Sequence, residues 1–191
     1  MKIAGYPDVQ TLIARLEVAG HGGDVEWAEN LGPPANADEF AQEIIFVICN
    51  SGMNHVVARR IYDKVMGALR TGARCFLAFK HQGKAFAIED IWRERRVLFA
   101  AYKATDDKLG FIAMLPWIGG VTKYHVAKNF GLQYAKPDVH LTRLAKTFDT
   151  TPQAMCELMA KRSGYKVATI DTLLWRAAAI GILDTQTGII K

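Results

Sequence analysis

Apolar residues recur at helical spacing in block after block along this chain, and strand-like alternation never persists. Recurrence every three or four residues is typical of amphipathic helices, whereas a period of two is typical of strands. The pattern predicts about eight helices, with the least helical material before residue 40. The expected fold class is therefore all-α: a compact helical bundle forming a single domain over residues 1–191.

Several blocks indicate where individual helices begin, end and become buried. Asn54 is expected to cap the helix "HVVARRIYDKVMGAL", and Thr105 is expected to cap "DDKLGFIAML". The longest helical run is "GKAFAIEDIWRERRVLFAAYKA", and the last two helices should each end at a glycine. One helix, "DEFAQEIIFVICN", should bury the face formed by Phe40, Ile44, Ile45, Val47 and Ile48.

Composition favours a protein that works in a reducing compartment. Half of the residues are hydrophobic, yet no run approaches the roughly 20 apolar residues that span a bilayer. The amino terminus reaches Pro7 and Asp8 before any apolar run, which is unlike a secretory signal. The three cysteines lie far apart, which argues against a disulfide framework and a cysteine-built metal or iron–sulfur site. We expect a soluble cytoplasmic monomer that has no metal site and does not bind membranes.

The positive charge is concentrated in one segment. The chain carries a net charge of +5, and between residues 121 and 148 a single carboxylate, Asp138, accompanies five cations. These are Lys123, Lys128, Lys136, Arg143 and Lys146. Such a segment fits either a solvated basic face or a polyanion-binding surface, so the surrounding residues have to decide.

A tight turn precedes this basic segment. Pro116 should end an apolar helix, and after Gly119 and Gly120 a new helix begins with "VTKYHVAKNFG". Glycine lets backbone approach a ligand closely, and the free N–H groups at the start of a helix attract anions. The sequence therefore predicts two helices joined by a tight glycine hairpin that can bind phosphate, although such a hairpin can also simply join two helices.

Two motifs at this separation resemble the helix-hairpin-helix (HhH-GPD) DNA glycosylases, the superfamily of endonuclease III and the adenine and 8-oxoguanine glycosylases. The family pattern L-P-G-hydrophobic-G-x-x-T-A is matched by Leu115, Pro116, Ile118, Gly119 and Thr122. The later D-x-H-x-x-R pattern is matched by Asp138, His140 and Arg143, with Gly131 and Pro137 between the two motifs. The resemblance covers residues 105–146 most strongly. It places the helix-hairpin-helix at about residues 105–131 and the catalytic segment at residues 136–146, without the iron–sulfur cysteines of endonuclease III.

The resemblance implies that Asp138 is the catalytic carboxylate facing the sugar of a nucleotide rotated out of the duplex. Asp138 also follows Pro137 at the start of a helix, so it is expected to act as an N-cap as well. The implied DNA contacts are Trp117, Gly119, Gly120, Thr122, Lys123, Lys128 and His140. Hairpin carbonyls could in addition hold a monovalent cation, as in relatives, and no other cofactor is implied.

Two departures from the family pattern affect the expected chemistry. Bifunctional relatives carry a nucleophilic lysine at the position of Val121, which has no nucleophile. Lys123 lies two residues further on, about 200° around the helix, so it should not substitute directly. We therefore expect a monofunctional enzyme that uses water, with a bifunctional glycosylase and abasic-site lyase acting through Lys123 as the alternative. Trp117 replaces the first hairpin glycine and packs against either protein or DNA.

The base pocket and the wedge that fills the duplex gap are assigned to an interruption between two apolar helices. The residues assigned there are Asn50, Ser51, Met53 and Asn54. Tyr124 and His125, which begin the helix after the hairpin, are assigned to the base pocket as well. An ordinary loop with Asn54 as a cap explains the interruption equally well. The expected function is release of a damaged or modified base, such as 8-oxoguanine, from double-stranded DNA in base excision repair. A non-catalytic helix-hairpin-helix DNA-binding protein is the competing hypothesis.

Overall fold

The computed structural model of the chain describes residues 5–191, apart from the side chain of His55. Within these residues the fold is all-α, as expected, and its only strand-like feature is a single bridge between Leu183 and Ile190. No helix in this range is long and apolar enough to cross a membrane. Residues 5–191 contain ten α-helices and a 3₁₀ turn: α1 Val9–Val18, α2 Gly23–Glu29, α3 Ala37–Asn50, α4 His55–Arg70, the 3₁₀ turn Cys75–Leu77, α5 Gln82–Ala104, α6 Lys108–Ala113, α7 Thr122–Asn129, α8 Val139–Thr147, α9 Pro152–Ser163 and α10 Val167–Ala179.

The helices form two compact units. The middle unit comprises residues 33–127, with α3 to α6 and most of α7. The terminal unit comprises residues 5–32 and 128–191, with α1, α2 and α8 to α10. Each unit has a hydrophobic core of its own.

The core of the middle unit lies where α3 packs against α4 and α5. The predicted face of α3 is buried: Phe40, Ile44, Ile45, Val47 and Ile48 are each at most 1% exposed. The Phe40 ring lies 5.3 Å from the ring of Tyr102 on α5. Removal of such side chains from water stabilises the fold by about 1.5–3 kcal/mol for each residue, so this face anchors the unit.

The core of the terminal unit is built around α10, which packs against α1, α2, α8 and α9. Leu12, Leu144 and Leu174, from α1, α8 and α10, are among the fully buried members of this core. One carboxylate, Asp171, is buried on the same helix and is 1% exposed. A buried charge requires a partner, and the partner of Asp171 is Lys128, which is described with the candidate site.

The helix ends agree with the sequence at most positions. The Asn54 side chain accepts a hydrogen bond from the Val56 N–H (2.9 Å) and caps α4, as predicted. Gly164 ends α9 in the left-handed conformation, at φ +81°. The prediction for Thr105 is wrong, because Thr105 follows α5 as its C-cap and Asp107 accepts the capping hydrogen bond from the Gly110 N–H (2.8 Å).

All three cysteines are free and buried. Burial raises the pKa of the Cys49 thiol to about 12 and that of the Cys75 thiol to about 11. The pKa of Cys156 is also raised, mainly by burial. Since the thiolate is the reactive form, these are packing side chains rather than nucleophiles.

Candidate functional site

The predicted turn between α6 and α7 is anchored by apolar side chains. Leu115 and Ile118 are 5% and 7% exposed, whereas Gly119 and Gly120 are exposed to solvent. The turn follows the end of α6 at Ala113, close to Pro116, which cannot donate a backbone hydrogen bond to continue a helix. The two apolar side chains of the turn are therefore buried, and its glycine backbone faces solvent.

Trp117 has the backbone conformation of a glycine. Its φ is +64°, in the left-handed region that residues with a side chain rarely adopt. The indole lies over Gly83, where a Cβ would come within 2.6 Å of the ring, and edge-on to His81 at 5.0 Å between ring centroids. The glycosylase pattern that this turn resembles has glycine at this position. The backbone keeps a conformation typical of glycine, although the residue here is tryptophan. The indole packs against protein and remains 45% exposed.

The turn presents a short row of backbone donors. The Gly119 N–H donates to Oγ1 of Thr122 at 2.7 Å, and the Lys123 N–H donates to the Gly119 carbonyl at 3.1 Å. Between them, the N–H groups of Gly120, Val121 and Thr122 have no acceptor within the described residues. The available donors thus differ from the sequence expectation: Gly120 keeps a free N–H, whereas the Gly119 N–H and the Thr122 hydroxyl are engaged with each other.

The two lysines assigned to phosphate contacts lie in very different environments. Lys123 is partly exposed, with its ammonium 5.1 Å from the centroid of the Tyr124 ring. Lys128 is 6% exposed, and its Nζ lies 2.5 Å from Oδ2 of Asp171. The assignment of Lys128 to DNA is wrong for this structure, because its charge is buried in an ion pair within the terminal unit.

Asp138 caps α8, as the sequence predicts. Its Oδ1 accepts hydrogen bonds from the N–H groups of His140 (3.0 Å) and Leu141 (3.1 Å). Within the described chain its Oδ2 accepts no hydrogen bond, and the nearest cation is Nζ of Lys136 at 3.9 Å. The side chain is 13% exposed. One oxygen is therefore committed to the helix, and the other accepts no hydrogen bond from the described chain. His140 lies half-buried in the first turn of the same helix.

A buried carboxylate fixes the segment that leads to Asp138. Oδ2 of Asp171 accepts a hydrogen bond from the Lys128 ammonium. Its Oδ1 accepts one from the backbone N–H of Lys136 at 2.7 Å. The preceding Ala135 N–H donates to Oε1 of Gln153 at 2.8 Å. These bonds hold residues 135 and 136 against α9 and α10, so the position of Asp138 is set by the core of the terminal unit.

Asp171 was not identified from the sequence as a site residue. A single carboxylate in the otherwise apolar stretch "KVATIDTLLW" is a signal that could have found it, since a buried acid requires a cation or several donors.

The loop between α3 and α4 is tied to α5 by a lysine. Nζ of Lys84 donates to the Ser51 carbonyl at 2.6 Å, and Lys84 itself is 5% exposed. Burial lowers the pKa of this lysine, while Cys49 acts in the opposite direction. Asn50 is the last residue of α3, and Met53 lies exposed in the loop before the cap Asn54. The loop therefore presents Met53 to solvent. No local pattern in the sequence singled out Lys84 as its anchor.

Tyr124 and His125 lie in the first turn of α7, as the sequence predicts, and both are partly buried. The His125 ring is 6.5 Å from the Phe46 ring, edge to face, which indicates a packed histidine.

No group of three or more potential metal-binding side chains occurs in the described part of the chain. Comparison of the chain with protein-family models, with curated proteins and with solved structures found no match.

Proposed function

We propose that this protein is a helix-hairpin-helix DNA glycosylase that hydrolyses the N-glycosidic bond of a modified base in duplex DNA. The observation that carries the proposal is the difference in hydrogen bonding between the two oxygens of the Asp138 carboxylate. Oδ1 is held by two helix N–H groups, so Oδ2 has a fixed direction and no hydrogen bond within residues 5–191. A fixed carboxylate oxygen at the end of a partly exposed side chain suits stabilisation of a developing cation.

Cleavage of a glycosidic bond develops positive charge on the sugar, as in glycoside hydrolysis. At about 4 Å and an effective dielectric near 20, a carboxylate stabilises a unit positive charge by about 4 kcal/mol. That energy corresponds to roughly three decades in rate. Oδ2 of Asp138 can also orient the attacking water, because its partner oxygen is locked by the helix.

The turn between α6 and α7 supports the binding of a DNA strand. Three consecutive N–H groups, those of residues 120–122, face no protein acceptor in the described chain, and they open a helix whose dipole favours anions. Phosphate contacts made by backbone N–H groups position a duplex without reading its sequence. The partly exposed Lys123 adds a cation next to this row.

Water is the proposed nucleophile for base release. Val121, at the position of the lyase lysine in the family pattern, is apolar and 43% exposed. Lys123 is directed over the Tyr124 ring, which argues against the alternative in which Lys123 attacks the sugar. Base release by Asp138 and water therefore needs no covalent step.

A panel of duplexes, each carrying one damaged or modified base, tests the proposal. Base release is read as strand breakage after alkali, for the wild type and for Asp138→Asn. Asparagine caps a helix as well as aspartate does, so this substitution removes the charge and retains the α8 cap. We expect base release to fall by about three decades, with DNA binding unchanged or tighter.

Thr151→Ala is a matched control in the same unit, because Thr151 caps α9 through Ala154 and carries no charge. It should lose a cap and keep base release. Wild-type rates of release in Asp138→Asn would refute the catalytic assignment.

A binding module without catalysis is the second candidate, and the free N–H row of the turn favours it equally. Such a protein would bind duplex DNA with the salt dependence that phosphate contacts produce. It would release no base from any member of the panel, even as wild type. Base release by the wild type therefore separates the two candidates.

A further inference from the structure

Lys136 lies beside the free oxygen of Asp138. Its Nζ is 3.9 Å from Oδ2 of Asp138, and its side chain is 23% exposed. Its backbone is held by the hydrogen bond from its N–H to Asp171, so the base of the side chain is fixed while the side chain as a whole remains partly exposed. The Lys136 amine therefore lies next to any group that binds at Oδ2 of Asp138.

We propose that Lys136 is an amine nucleophile toward the deoxyribose of an abasic site, giving the protein a strand-cleaving activity in addition to base release. The inference rests on the proposed function, because it takes Asp138 as the group that faces the sugar. It differs from the family pattern, in which the lyase lysine would occupy the position of Val121.

Two other lysines of the basic segment, Lys123 and Lys128, are less suited to this role. Lys128 is locked to Asp171 within the core, and the ammonium of Lys123 lies over the Tyr124 ring. Lys136 combines partial exposure with a carboxylate next to its ammonium. An amine and a carboxylate that share a site can divide attack on carbon and proton transfer between them.

Burial favours the neutral form of Lys136, whereas most of the charges around it favour the ammonium. Burial lowers the pKa of Lys136, and Lys128 lowers it further, while Asp138 and Asp171 act in the opposite direction. A neutral amine is the nucleophilic form. A neutral Lys136 also leaves the Asp138 charge free to stabilise a cationic sugar during base release.

The proposed reaction starts from the ring-opened aldehyde of an abasic site. The Nζ lone pair of Lys136 adds to C1′. The aldehyde oxygen takes one proton from the amine and one from solvent and leaves as water, which gives a protonated Schiff base. The Asp138 carboxylate accepts a proton from C2′. The electrons of that C–H bond form the C2′–C3′ double bond while the C3′–O bond breaks and the 3′ phosphate leaves. Water then hydrolyses the Schiff base and returns the lysine amine.

Borohydride trapping on a duplex with a preformed abasic site tests this inference without knowledge of the base. Hydride reduces the Schiff base to a stable amine, which is detected as a protein–DNA adduct and mapped to a peptide by mass spectrometry. We expect the wild-type adduct to map to Lys136. Lys136→Gln and Lys136→Arg should lose it, since neither glutamine nor the guanidinium forms the Schiff base.

Lys161→Gln is the matched control, because Lys161 is an exposed lysine on α9 and should leave the adduct unchanged. The inference is overturned if the wild type forms no adduct, if the adduct maps to Lys123, or if it persists in Lys136→Gln.

Base release in the lesion panel is measured separately after alkali, which cleaves abasic sites whether or not the protein does. Release without trapping refutes the role of Lys136 and leaves the proposed function standing. Trapping on Lys136 without release from any lesion supports the lyase and counts against the glycosylase. Because the adduct is mapped in the wild type, a variant that fails to fold does not remove the test.

Discussion

At the scale of single residues, the environment of a lysine matters more than its charge. Lys128 and Asp171 form a pair whose side chains are 8% and 2% exposed. Two charges taken out of water depend on each other, since either one alone would be buried without compensation. Asp171 of the same pair also accepts a hydrogen bond from the backbone N–H of Lys136. This carboxylate therefore contributes both to the stability of the fold and to the position of Asp138.

We predict that Lys128→Met lowers the free energy of unfolding by about 3–5 kcal/mol, the usual cost of leaving a buried charge without its partner. Urea denaturation measures the change. The matched control is Arg59→Met, because Arg59 pairs with Asp63 at 3.2 Å with side chains 67% and 59% exposed. That variant should lose less than about 1 kcal/mol. Equal losses in the two variants would contradict the burial argument.

At the scale of elements, the turn before α7 combines a glycine-like backbone with a large side chain. Left-handed backbone costs a residue with a Cβ about 1–2 kcal/mol. The Trp117 indole offsets this cost through its contacts with Gly83 and His81. The turn therefore keeps its shape through side-chain packing, where the family pattern relies on glycine.

A pair of substitutions separates these two contributions. Trp117→Gly and Trp117→Ala both remove the indole, but only glycine adopts a φ of +64° without steric cost. We expect the glycine variant to be more stable than the alanine variant by about 1 kcal/mol, measured by urea denaturation. An alanine variant of equal or greater stability would show that the turn relaxes once the indole is gone.

The helices themselves were predicted well where their signals are local. The cap at Asn54, the glycine after α9 and the buried face of α3 all follow from residues within a few positions of each other. The cap at Thr105 was predicted incorrectly because two further capping residues, Asp106 and Asp107, follow it, and the chain uses the last of them. The short helix α2 was not identified, since "GDVEWAE" has few apolar residues and starts at glycine.

At the scale of the whole molecule, the basic segment carries less exposed charge than its composition suggests. Lys128 is neutralised within the core and Lys136 lies next to Asp138. Arg143 and Lys146 on α8 are exposed, and Lys123 is partly exposed. These three cations are the ones available to phosphates.

The salt dependence of duplex binding tests this count. Each phosphate contact contributes about 0.9 to the slope of log K against log salt concentration. We predict that Lys123→Gln, Arg143→Gln and Lys146→Gln each reduce the slope by about one when the cation contacts phosphate. The control Lys161→Gln should leave it unchanged, and an unchanged slope in all three variants would show that none of these cations contacts phosphate.

The sequence by itself determined the all-α class, most helix boundaries, the buried face of α3 and the cap at Asp138, because these depend on spacing within one or two helical turns. Only the tertiary structure decided which polar groups are available. Lys123 and Lys128 are equivalent by composition, yet Lys128 is removed from the surface by a carboxylate 43 residues away. Likewise, Lys84 is buried because its ammonium reaches a carbonyl 33 residues away. A charge is stable inside a protein only beside its partner, and folding rather than local spacing brings partners together.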